Sequence, residues 1–474
     1  MTSTPDSREL GSLLEQKARE AGVAGAQFAV TTGDALVTAA YGTANPDTGL
    51  SMTTDTLVQI GSTTKVYTAA LAMTLVDEGL VDLDRPVRTY LPGLRLGDRA
   101  AERSVTLRHL MSMSSGLDNG PYVDTGRGDD CVRRYVALLD GVRQHFPPGA
   151  GFGYSNASTA ITGRVIEQVT GKSWDEALRE RLLDPVGLRH SVSLAEELPY
   201  HQVAVGVGLD GDGRPDVRHT GWTFSWGMGP AGSTLATTGA DLARFGRLFL
   251  RGGTSEDGTR LLSEDAVATM HHVEVDVPAK LFADRWCVGP YQRDWGGVTA
   301  YGHSGTTLCG SSLLLWIPDL DLALACLTNT ADRGYLLAPS MVDAVLTRWF
   351  DVHRSPASLE RVETGVDPRV YVGRYLADGL TYTVDLVDGE LTITAVADES
   401  LADQPPEPVI SGLIPLGDHR FWPEDPRLTS FHMWDIVFCP GPDGRIVRLL
   451  NGGFAASRAA VAMVTDGQSV RPVR

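Results

Sequence analysis

Lysine is scarce in this chain. Of 41 basic residues in a 474-residue sequence only four are lysines, Lys17, Lys65, Lys172 and Lys280. Net charge is −18 with no long basic run, which excludes nucleic acid and anionic membranes as expected partners. No apolar stretch reaches the roughly 18 residues that a membrane-spanning helix needs. The opening MTSTPDSRELGSLLEQKAREAG has no basic segment ahead of an apolar one, so no secretory signal is read and a cytoplasmic protein is expected. The five cysteines (Cys131, Cys287, Cys309, Cys326, Cys439) are odd in number and far apart. They form neither a CxxC pair nor a zinc ligand set, and suit a reduced compartment as small buried hydrophobes. His271-His272 lacks the i,i+4 spacing and carboxylate company of a metal site. With no glycine-rich phosphate loop either, no metal and no cofactor are expected.

What is present describes a soluble globular chain, 42% apolar and 21% charged. Its length exceeds what one hydrophobic core usually serves, so two domains are expected. After a first amphipathic helix, Ala24 to Thr32 and Ala35 to Gly42 read as strands joined by Gly33-Asp34. A helix follows Ser62, with Val66, Ala69, Ala70, Met73 and Val76 as its buried stripe and Gly79 just past its end. From about 85 to 220 the pattern is mostly helical, and Thr238 with Asp241 forms a capping box for a helix to about Leu250. Strands return at Thr299 to His303, Ser311 to Ile317 and Leu322 to Asn329, before a helix over Ala338 to Phe350. Residues 1–350 thus read as one α/β domain, an antiparallel sheet completed by distant parts of the chain around a helical insertion. Residues 351–367 read as a linker. Over 368–474 the period becomes two, and Asp388-Gly389 and Gly441-Pro-Asp-Gly444 mark hairpins, so a small all-β barrel or sandwich is expected.

Chemistry gathers at three places. In GSTTKVYTA, Ser62 opens a helix and Lys65 lies one turn later on the same face, a serine with an amine within reach. The positive end of the helix dipole favours negative charge developing on the serine oxygen. To serve as a base Lys65 must be neutral, which burial enforces. Tyr154-Ser155-Asn156 and His303-Ser304-Gly305 are the other two places. Tyr154 can relay a proton to a leaving group, and Asn156 can hold Lys65 or a substrate amide. Taken singly, each has an ordinary structural reading: core tyrosine, turn asparagine, structural histidine, strand-packing glycine.

S-x-x-K, then Y-x-N, then a basic residue-x-G, in this order, resembles the serine β-lactamase and penicillin-binding-protein superfamily over roughly residues 8 to 350. The stretches VTLRHLMSMSSGL and MGPAGSTLATTGADLARF look alike too. The resemblance implies an acyl-enzyme chemistry with Ser62, Lys65, Tyr154, Asn156 and His303 as catalytic residues. It also implies an oxyanion hole from the Ser62 and Thr306 N–H groups, with Gly305 and Trp226 beside the substrate. Trp222, Phe224 and Trp226 are expected as pocket wall or core, and Asp124 to Asp130 as a polar loop, with Arg127 near the pocket as the alternative. The segment opened by Tyr371-Val-Gly-Arg-Tyr375 resembles the lipocalin-like domain attached to some members.

Many wall-building relatives carry lysine where this chain has His303, and a mostly neutral histidine favours donors without a free C-terminal carboxylate: esters, thioesters or amides. The DTGRGDD and MGPAG stretches resemble penicillin-binding-protein-type thioesterases, which offload and macrocyclise nonribosomal peptides. That resemblance implies a peptidyl thioester substrate with a D-configured C-terminal residue, and a peptidyl carrier protein as partner. The alternative is a D-stereoselective peptidase or esterase. A non-catalytic sensor is disfavoured, because every catalytic position is filled.

Overall fold

This computed structural model describes residues 5–209, 215–217, 222, 225–355, 357–362, 365–398, 407–428 and 434–459. Helix α1 (Ser7–Ala21) starts where Asp6 accepts the Glu9 N–H and stops at Gly22, which takes the left-handed conformation at φ 68°. Strands β1 (Gly25–Thr32) and β2 (Ala35–Asn45) form a hairpin. They join β3 (Tyr291–Trp295), β4 (Val298–Thr306), β5 (Ser311–Ile317) and β6 (Leu322–Thr328) in an antiparallel sheet, in the order β2-β1-β6-β5-β4-β3. Short strands finish its edges, Leu50–Ser51 beside β2, and Arg285–Trp286 then Val275–Asp276 beside β3. The pairing of Ala26 with Thr328 sets β1 against β6, although about 300 residues separate them in the chain.

Both faces of this sheet are buried, and side chains divide between them with period two. Phe28, Val30, Leu313, Leu315, Leu324 and Cys326 pack with Leu10 and Leu14 of α1 and with Met341 and Val345 of helix α5 (Gly334–Phe350). Ala29, Leu314, Trp316, Ala323 and Ala325 face the other way, onto Leu242 and Phe245 of helix α4 (Gly239–Leu250). The central strands are therefore continuous apolar runs rather than alternating ones. Thr238 caps α4 by accepting the Asp241 N–H, but the expected reciprocal box is absent. The Asp241 carboxylate instead accepts the His190 N–H.

Between β2 and α4 lies the helical insertion, short helices and long loops around α2 (Thr64–Asp77) and α3 (Asn156–Thr170). Thr64 through Leu75 of α2 are all buried, so this helix runs through the core rather than presenting one stripe to it.

Residues after 372 close into an eight-stranded barrel: β7 (Gly373–Ala377), β8 (Leu380–Val387), β9 (Glu390–Ala397), β10 (Val409–Gly417), β11 (Arg420–Pro423), β12 (Ile436–Pro440), β13 (Ile446–Asn451) and β14 (Phe454–Arg458). Asp388 (φ 50°) and Gly389 (φ 88°) make the two-residue turn between β8 and β9 with both residues left-handed, as a tight hairpin requires. Closure leaves no open edge. Ile436, Phe438, Leu449 and Ala456 point into the barrel, while the alternate residues Val437, Cys439, Leu450 and Ala455 pack into the core beneath the large sheet. The intervening segment touches both units. Arg354 pairs with Asp343 at 2.7 Å, and Val362 N–H donates to Pro415 O.

Candidate active site

Ser62 lies in a one-turn 3-10 segment, Gly61–Thr63, that leads directly into α2. Three glycines let other backbones press against this turn. A Cβ on Gly305 of β4 would stand 1.9 Å from Ile60 O, and one on Gly61 would stand 2.6 Å from Thr306 N. Gly232, at φ 119°, would meet Gly61 O at 2.2 Å. No other residue fits these approaches. Buried hydroxyls complete the clamp: Ser312 Oγ donates to Ile60 O at 2.6 Å, and Thr63 Oγ1 lies 2.7 Å from Ser312 Oγ. The turn is held from β4, β5 and the 226–231 turn together.

Lys65 is 2% exposed, and its ammonium has no carboxylate partner among the described residues. Its Nζ lies 3.0 Å from Ser62 Oγ, 2.6 Å from Asn156 Oδ1 and 2.6 Å from Ala231 O. Burial holds its pKa well below the ordinary lysine value. The geometry then assigns the protons. A neutral amine has two N–H groups, and two of its neighbours, the Asn156 and Ala231 oxygens, can only accept. Both N–H groups are spent on them, so the lone pair meets the Ser62 hydroxyl, which donates. Asn156 is held in this orientation because its Nδ2 donates to Tyr122 Oη at 3.3 Å, and Asn119 Nδ2 donates to the same oxygen at 2.8 Å.

Tyr154 is hydrogen-bonded to Ser62 from the other side, and burial raises its pKa far above the ordinary phenol value, so it stays protonated. Its ring packs edge-on against Phe282, Trp286 and Phe454, and its N–H donates to Gly453 O at 2.8 Å. His303 is also buried. Its Nδ1 donates to Ser304 O at 2.5 Å, and burial, followed by the neighbouring Lys65, pushes its pKa down to about 3. The imidazole is neutral, and its Nε2 is a buried acceptor without a partner among the described residues.

These residues meet in a cavity of about 610 Å3, whose wall includes Ser62, Tyr154, Asn156, His303, Gly305 and Thr306. Of the catalytic and substrate-binding residues read from the sequence, Lys65 lies behind the wall, reaching it through Ser62 and Asn156, and Trp226 is not brought there. In a three-residue turn, positions two apart diverge, so Met228 faces the cavity while Trp226 faces the Arg127 guanidinium, 4.9 Å from its ring centre. Arg127 accordingly does not line the cavity. Trp222 donates to Ala204 O and packs in a small separate cluster. Phe224 lies outside the described residues. Sequence reasoning missed Tyr122, Phe282, Arg293, Trp434 and Phe454, all on the cavity wall. Trp434 and Phe454 come from the barrel. No group of three metal-ligating side chains occurs among the described residues, and no helix there is long and apolar enough to cross a membrane.

A family model described as Beta-lactamase matches residues 10–343. The chain belongs to that family. It is a β-lactamase-fold serine hydrolase with a lipocalin-like barrel attached. Penicillin-binding protein 4 of Amycolatopsis lactamdurans is 39% identical over 318 residues, 65% of this chain and 81% of that protein. Esterase EstB of Burkholderia gladioli is 31% identical over 391 residues, 72% of this chain and 95% of its own. Among solved structures, SurE superposes with a TM-score of 0.76 at 28% identity, covering 96% of this chain and 99% of SurE, and was also solved with D-Leu. The likeness to SurE therefore spans both the catalytic domain and the barrel.

Proposed function

We propose that this family member is a stand-alone thioesterase of the penicillin-binding-protein type. In this reading it takes a peptide from a carrier-bound thioester onto Ser62 and releases it by head-to-tail closure. The observation that carries the reading is the neutral His303 on the wall of an aromatic cavity to which the barrel adds Trp434 and Phe454. A neutral imidazole offers no attraction to the C-terminal carboxylate left by wall peptides. The full-length likeness to SurE, solved with D-Leu, supports a D-configured residue at the acyl carbon.

The steps follow from the hydrogen bonds. Ser62 Oγ attacks the thioester carbonyl as its proton passes to the Lys65 lone pair, and the N–H groups of Ser62 and Thr306 take the oxyanion. The C–S bond breaks as Tyr154 gives its proton to sulfur and regains one from Lys65. The peptide's own amine then attacks the ester and gives up a proton to Lys65, one passes through Tyr154 to Ser62 Oγ as the ester C–O bond breaks, and a lactam leaves. Tethering supplies the high effective concentration the amine needs against water.

A peptidyl pantetheine thioester with a free amine and a D-configured C-terminal residue tests this. Lactam is expected as the main product, acetylation of the amine should slow release without slowing acylation, and the L-epimer should acylate poorly. Linear acid alone across several peptide lengths would favour the second reading, a D-stereoselective hydrolase or esterase, which the likeness to EstB supports.

A further inference from the structure

The cavity also holds a cation that the acyl-transfer steps do not use. Arg293 stands on β3 between Tyr291 and Trp295, and period two puts all three on the cavity wall. Its Nη2 donates to Lys280 O at 3.1 Å and Leu281 O at 2.6 Å, which anchors the guanidinium in one place. Among the described residues no carboxylate lies within ion-pair distance of it, and its remaining N–H groups are left for something else. The cavity's own carboxylate, Asp332, follows β6, which is three strand spacings, or about 14 Å, across the sheet from β3. An arginine stays charged at any working pH. Held half-buried among aromatic rings, it gains most from an anion delivered by the ligand.

Its distance from the nucleophile limits what that anion belongs to. Arg293 pairs across the ladder with Ala300, whereas the nucleophile turn touches β4 at Gly305. Five residues of antiparallel strand span about 17 Å, roughly the length of five extended peptide residues. We propose that Arg293 is an anion subsite, binding an oxyanion carried by the substrate at about that distance from the acyl carbon. Two parts of one substrate can supply it, an acidic side chain four to five residues along the peptide, or the phosphate of a phosphopantetheine arm. The assignment rests on Ser62 as the acylated residue.

Matched substrates separate the sources. One set scans Glu against Gln at each of the third to sixth residues from the acyl carbon, as pantetheine thioesters and as p-nitrophenyl esters. The other set compares pantetheine with 4′-phosphopantetheine thioesters of one neutral peptide. The readout is the ratio of kcat/KM, anionic over neutral, for wild type and for Arg293→Gln, Arg293→Lys and Arg293→Glu. Wild type should prefer one anionic member at least tenfold. Arg293→Gln should bring that ratio to within twofold of one, Arg293→Lys should keep part of it, and Arg293→Glu should favour lysine at the same peptide position. A preference in the scanning set assigns the peptide, and one in the second set assigns the arm. No preference in wild type, or one that survives in correctly folded Arg293→Gln, overturns the subsite. If thioesters fail while the esters show the arginine-dependent ratio, the thioesterase reading falls and the subsite stands.

Discussion

Replacing Gly453 by alanine should slow acylation without replacing any catalytic residue. Gly453 lies between β13 and β14 of the barrel and accepts the Tyr154 N–H. A Cβ there would stand 2.7 Å from a Phe282 ring carbon and 2.9 Å from Tyr154 Cβ. Carbon atoms settle at about 3.5 Å or more, so Tyr154 and the hairpin must part by about 0.6 Å. Phe282 can turn aside, but Tyr154 is fixed at its backbone just ahead of α3. The shift moves its phenol away from Ser62. Since a misplacement of 1 Å can cost about a hundredfold, a loss of about tenfold to a hundredfold in acylation is expected, with about 1–3 kcal/mol of overpacking cost to stability. Gly11→Ala is the control: its Cβ meets nothing within 4 Å in α1, so it should leave the rate unchanged and add about 0.5–1 kcal/mol of stability. Quenched-flow intact-mass measurement with an activated D-peptidyl ester, alongside thermal melts, reads both effects. Acylation of folded Gly453→Ala within twofold of wild type would refute the claim that the barrel positions Tyr154.

Three further outcomes follow from the site. Ser62→Ala should show no covalent adduct by intact-mass spectrometry while keeping the wild-type melt; an adduct of equal yield would remove Ser62 as nucleophile. Lys65 acts as a base only when deprotonated, and burial depresses its pKa, so acylation should be at its plateau around neutral pH and fall on acidification. Lys65→Arg should lose at least a thousandfold at every pH, because guanidinium cannot take the proton; an acid limb near pH 10 would contradict the neutral-lysine assignment. His303, buried, and His271, half-buried, are neutral, with pKa values pushed down by desolvation to about 3 and about 4. The unfolded chain takes up their protons first, so stability is full above about pH 6.5 and declines as pH falls toward those values. NMR titration showing either imidazolium in the native protein at pH 6 would overturn this.

Much of the fold was legible because the core strands are long apolar runs with clear turns. Boundaries slipped where polar residues continue a ladder. Ser304, Gly305 and Thr306 look like a loop motif, yet they pair with Leu313, Ser312 and Ser311, so β4 extends past His303. Helix α5 begins at Gly334 rather than at Ala338, with Pro339 inside it. The motif residues converged as their order implied, since each type has a specific chemical task at short range. The rest of the wall carried no such signal. Tyr122 lies in an irregular loop, while Trp434 and Phe454 reach the cavity only because alternate barrel residues pack outward, and nothing local encodes that docking. Trp226 failed for the converse reason: an aromatic beside a motif says nothing about which way a tight turn points it.

That docking also has a consequence for synthesis. Ser62, Lys65 and Tyr154 leave the ribosome well before Phe454, some 300 residues later than Tyr154. At about 5–20 residues per second, roughly 15–60 s pass in between. During that interval the nascent chain holds its nucleophile without the hairpin that fixes the tyrosine and covers the cavity. The hairpin that holds Tyr154 is thus among the last parts of the chain to be made.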